Sequence, residues 1–130
     1  MFTTSAKNKV MNAVFGCSTS VLPTSYKVGL STTTPTASGS NITEPASSTG
    51  YQRSSVSFGS ASGGTIKNSS AVEFPVLTND AGVVTHYVLY DQNGSPFWFD
   101  ALKSSRTLET DTVVTFAAGA IELTLKNATS

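Results

Sequence analysis

The chain reads as a mainly β protein, an antiparallel β-sandwich of jelly-roll type carrying one short N-terminal α-helix. Three observations predict this. Apolar residues recur at spacing four in one stretch only, near the N-terminus, and beyond Gly16 the period shortens to two in one segment after another. Gly, Asn and Pro turn signals separate those segments, and no second helical run exists to cover a parallel sheet. The 130 residues suit a single domain, 1–130, built on one core.

The helix is expected over 5–15. Ala6, Val10 and Val14 repeat at spacing four, with Met11 and Phe15 beside them. Ser5 is the expected acceptor for the freed amides of the first turn, and Gly16 the left-handed stop. A helix this short is marginal alone in water, so it needs a surface to lie on. Period two begins at Tyr26-Lys27-Val28-Gly29-Leu30, where Tyr26, Val28 and Leu30 share a face. From Ser31 to Gly50 the chain is Ser, Thr, Pro, Gly and Asn around one bulky apolar residue, Ile42, and reads as a long loop of the kind that carries function or meets a partner.

Further strands are expected over 51–58 and 71–74, with a Gly63-Gly64 turn between them. Val83 to Tyr90 is apolar on both faces, as a central strand covered from two sides would be. Asp91-Gln92-Asn93-Gly94-Ser95 supplies turn chemistry before Phe97-Trp98-Phe99, giving the clearest hairpin. Val113–Ala117 and Ala120–Lys126, joined at Gly119, close a count of seven or eight short strands.

Composition narrows function. Charged residues make up 12% of the chain, about half the usual share, yet seven Phe, four Tyr and Trp98 supply core material, so the chain folds rather than staying disordered. Net charge is zero and the basic residues are scattered, which argues against nucleic acid as a partner. No apolar run is long enough for a membrane span, and the first nine residues lack an export pattern, so synthesis and assembly in a bacterial cytoplasm are expected. The lone Cys17 cannot form an internal disulfide and reads as a small buried apolar residue. Four Asn-x-Ser/Thr matches, at Asn41, Asn68, Asn93 and Asn127, are what a Ser/Thr-rich chain produces by chance.

No catalytic set is apparent. His86 sits mid-strand, with Val84 and Val88 expected on the same face, and reads as a packing residue rather than a general base. One His and one Cys cannot make a structural zinc site, and Asp91, Asn93 and Gly94 begin a calcium-loop pattern that no Glu completes. Glu109 and Asp111 could in principle do glycosidase work, but they read better as a solvated turn. Gly59 to Thr65 lacks the Lys and the following helix of a phosphate loop. The expectation is a non-enzyme without cofactor or metal.

The order of short motifs carries a resemblance: Phe15-Gly16 ending the helix, Tyr26-Lys27-Val28-Gly29-Leu30-Ser31-Thr32, Gly50-Tyr51-Gln52-Arg53, Phe74-Pro75, Gly82 to Tyr87, and Phe116-Ala117-Ala118-Gly119-Ala120. Together they resemble small tailed-bacteriophage virion proteins of the family often labelled "tail fibre protein". The resemblance implies a structural virion component, present in several copies or as a homo-oligomer, whose partners are the major capsid protein or tail proteins. Fibre shafts grow by repeats, and 130 residues without periodicity suit a capsid decoration (cement) protein better, with a small tail or tail-fibre component as the alternative. The candidate docking surface is Phe2, Val10, Met11, Phe15 and Ile42. Two readings of other classes compete: a carbohydrate-binding module using Tyr51 or Trp98, and a small hydrolase using Glu109 and Asp111.

Overall fold

The computed structural model describes residues 1–16 and 22–125. Cys17, Lys126 and Asn127, named above, lie outside the described residues.

Helix α1 spans Thr4–Phe15 and ends as expected, with Gly16 left-handed at φ 69° and its N–H on the Asn12 carbonyl. Its start differs from expectation. Thr3, not Ser5, caps the first turn, its Oγ1 accepting from the Ala6 amide at 3.2 Å. The reason is tertiary: Thr3 is already held in extended form, its N–H on the Phe97 carbonyl at 3.1 Å and its Oγ1 on the Pro96 carbonyl at 3.0 Å. Ser5, with no such anchor, is left exposed within the first turn.

Four strands, β1 (Tyr26–Ser31), β2 (Ser54–Val56), β5 (Gly82–Asp91) and β6 (Pro96–Leu108), form the main antiparallel sheet, side by side in the order β2-β1-β5-β6. Two ribbons pack against it: β3 (Thr65–Lys67) with β8 (Glu122–Thr124), and β4 (Val72–Glu73) with β7 (Thr115–Phe116). The protein is therefore mainly β and antiparallel with one short helix; the pairings do not by themselves trace a jelly roll. Strand β3 has no clear signal in the sequence, because three residues are too few to display a period. It forms because Gly63 and Gly64, both at positive φ, reverse the chain between Ser62 and Thr65.

β5 is central, as its two apolar faces require, but its phase is interrupted. Val84 pairs with Arg106 and His86 with Ala101, so Thr85 alone opposes Leu102 through Ser105 on β6. This bulge moves Val84 into the main core with Tyr87 and Leu89, while Val88 joins Tyr90 and Phe99 in a second cluster. Val84 and Val88 thus serve different clusters, contrary to the single face that strict alternation around His86 implies.

The main core gathers Val28, Leu30, Val84, Leu89, Trp98, Phe116 and Ile121 between the sheet and the ribbons. Asn68 holds the ribbons in place from inside. Its Oδ1 accepts from the Ile121 amide at 2.9 Å and its Nδ2 donates to the Ser70 and Ala117 carbonyls at 2.8 and 3.0 Å, so a buried amide is fully satisfied.

Candidate functional site

The 31–50 segment is a loop, but an organised one. Too poor in apolar residues to collapse, it folds on its own hydroxyls: Ser31 Oγ donates to the Thr33 carbonyl and accepts from the Thr43 amide, and Thr33 Oγ1 donates to the Asn41 carbonyl. A short 3₁₀ turn, Ser47–Thr49, precedes Gly50. Ile42 rests on Val88, Tyr90 and Phe99, so this loop roofs the side of the sheet that the ribbons leave open.

One carboxylate pins that roof. Glu44 Oε1 accepts from Tyr90 Oη at 2.7 Å and from Arg53 Nη2 at 2.6 Å, and Oε2 accepts from Tyr51 Oη at 2.8 Å. Arg53 Nε bridges both oxygens at 3.1 and 3.2 Å, and its guanidinium carbon stands 3.5 Å from the centroid of the Tyr90 ring. Tyr51 Oη in turn accepts from the Leu30 amide at 2.9 Å, tying the cluster to β1. Burial alone would raise the Glu44 carboxyl; the hydrogen bonds from Arg53, Tyr90 and Tyr51, with the guanidinium charge, outweigh it and hold it below the ordinary range. The Tyr51 and Tyr90 phenols move up, by burial first and then by the adjacent carboxylate. Gly29 makes the cluster possible, because a Cβ there would lie 2.7 Å from Tyr90 Cε2 and 2.9 Å from Tyr51 Oη. The only signal for this site in the sequence is that Glu44 is the one charged residue between Ser31 and Gly50.

The cluster forms one wall of an open cleft of ≈ 600 Å³, bounded also by Lys27, Gln52, Gln92 and Gly94. Asp91 belongs to its wall as a turn former. Its Oδ1 accepts from the amides of Asn93 and Ser95, both at 2.9 Å, and its Oδ2 faces Lys9 Nζ at 3.7 Å. Those partners account for the Asp91-Asn93-Gly94 pattern without an ion. Among the described residues no group of His, Cys, Asp or Glu is placed to hold a metal.

The expected docking residues separate into two sets. Phe2 is half buried, edge-on to Trp98 and Phe97 with ring centroids at 4.8 and 5.7 Å, and it makes an isolated antiparallel bridge to Trp98 on β6. Val10 and Ile42 are also half buried. Met11, Val14 and Phe15 are 56, 65 and 68% exposed, an apolar stripe on the outer side of α1, while Ala6 is buried. Other expected residues have packing or turn roles. Trp98 is 6% exposed and donates from Nε1 to Tyr87 Oη at 3.2 Å; burial pushes that phenol up to about 12. Tyr51 is buried too, so neither ring offers an open face for stacking on a sugar. His86 Nδ1 lies 2.8 Å from Thr85 Oγ1. Glu109 and Asp111 are exposed in a turn where Asp111 has φ 66° and the Glu109 carbonyl accepts from Thr112. No helix among the described residues is long and apolar enough to cross a membrane.

Comparison with known proteins adds one finding. The family model described as Podophage GP4 fiber I protein gp80 matches residues 1–124. No curated protein matches the chain.

Proposed function

Because the chain belongs to the podophage GP4 fiber I protein family, we propose that it is a structural component of the phage tail fibre, present in several copies and working by contact rather than catalysis. The fibre description of the family favours this over the capsid-cement role that length and lack of periodicity suggested. The observation that carries the mechanism is the outer side of α1, where Met11 and Val14 stand exposed on a helix whose inner side is fixed by Ala6 and the Thr3 anchor. Burying such a stripe against a neighbouring virion protein gains about 25 cal/mol per Å² of apolar area. Repetition over several copies turns modest contacts into a firm assembly through effective concentration.

The test is location and copy number. Imaging of intact particles together with quantitative mass spectrometry should place the chain on the tail fibre at far fewer copies than the coat protein. Chains carrying Met11→Ser and Val14→Ser should fold normally and be under-represented in particles. Density over coat-subunit junctions, at a copy number near that of the coat protein, would return the decoration role.

A further inference from the structure

We propose that the cleft walled by the Glu44 cluster is a receptor for an acidic polypeptide segment of a neighbouring fibre protein, an inference that rests on the fibre reading. The cleft contains two acids, and both are turned to internal partners. Glu44 is engaged by Arg53, Tyr51 and Tyr90, and Asp91 by two turn amides and Lys9. What remains open is donors. Arg53 uses Nε and Nη2 on Glu44, and its Nη1 has no hydrogen-bond partner among the described residues. Nη1 faces the hairpin tip, 3.6 Å from where a Cβ on Gly94 would sit, an ordinary contact distance. Lys27, directly across from Tyr90 on β1, makes no ion pair among the described residues. Gln92 accepts from the Thr24 amide through Oε1, which leaves its NH₂ free to donate.

The guanidinium is held rigid by its carboxylate on one edge and by the Tyr90 ring on its face, so its third nitrogen is pre-oriented and loses little entropy on accepting a ligand. An open guanidinium edge, a lysine on the same side and a side-chain amide match a carboxylate carried on a peptide, with the amide serving the peptide backbone. A saccharide fits less well, because the Tyr90 face is already covered by Arg53 and Tyr51 is buried.

The experiment is fluorescence polarisation of the full chain with labelled tetraglutamate, tetraglutamine and oligogalacturonate at low salt. Tetraglutamate should bind and tetraglutamine should not. Lys27→Gln, at an exposed position, should weaken binding about fivefold, the scale of one exposed ion pair, with an unchanged melting temperature, while Lys103→Gln leaves it unchanged. Absence of tetraglutamate binding, or equal losses from Lys27→Gln and Lys103→Gln, overturns the site. Tighter binding of oligogalacturonate than of tetraglutamate overturns the polypeptide assignment in favour of an acidic saccharide. A chain that sits on the fibre yet binds no acidic peptide defeats only this inference, and one that binds the peptide but is absent from the fibre defeats the function proposed above together with the fibre origin of the segment, while the acidic-peptide site itself stands.

Discussion

The two sides of the four-stranded sheet are closed by different physics. On one, Leu30, Leu89 and Trp98 meet Phe116 and Ile121 in a continuous apolar core, where stability follows the area removed from water. On the other, a Ser/Thr loop with one Ile is fastened by a single carboxylate that collects an arginine and two phenols. The first closure is spread over many side chains, so it weakens gradually with substitution. The second is concentrated at Glu44, so loss of that one side chain loosens the roof, leaving the loop's own hydroxyl bonds and Ile42 to hold it.

Substitutions on the two sides should separate these behaviours. The largest effect is expected for Trp98→Ala, which opens a cavity beneath Phe2 and strands the Tyr87 hydroxyl; a loss of about 3–5 kcal/mol is expected in denaturant unfolding. Glu44→Gln keeps the shape but sets an NH₂ among donors, and should cost about 2 kcal/mol, with hydrogen exchange rising in 32–50 before the core amides. Gly29→Ala, which forces a methyl against Tyr90 and Tyr51, should cost about 1–2 kcal/mol, again with loosening confined to the loop.

Acid sharpens the same contrast. The Glu44 carboxyl is lowered in the folded chain from an ordinary 4.5, so its contribution is complete above that value. Below it the unfolded chain takes up a proton first, and stability is lost until the pH passes through the folded value. Glu44→Gln should therefore flatten the acid limb of a stability–pH curve. A residual slope should remain from Asp80, held low by the amide and hydroxyl of Thr110. The smallest stability effect, under about 0.5 kcal/mol, is expected for Met11→Ser, since the residue touches solvent rather than either side of the sheet. A large destabilisation there would show that the α1 stripe is part of the fold and not a surface for neighbours.

Much of the architecture was legible because it rests on local pattern. Spacing four announced α1 and Gly16 announced its end. Apolar residues on both faces marked β5 as central, and Asp91 to Ser95 marked the hairpin. Each is a property of neighbouring residues, which backbone geometry converts directly into helix, strand or turn. Glu109 and Asp111, read as a solvated turn, lie in one.

Other features depend on residues far apart in the chain, and only the tertiary structure decided them. Thr3, not Ser5, caps the helix because β6 holds it in place. The bulge opposite Thr85 split Val84 from Val88, since pairing with a longer partner segment overrode alternation. Arg53 and Tyr90 found Glu44 across 9 and 46 residues, and no periodicity encodes that meeting. Sequence by itself determined where the helix, the central strands and the main turns fall, because those choices are settled within a few residues, whereas a strand as short as β3 shows only in its pairing. Which polar groups meet was settled only when the strands paired, because a buried charge is stable solely where distant partners converge on it.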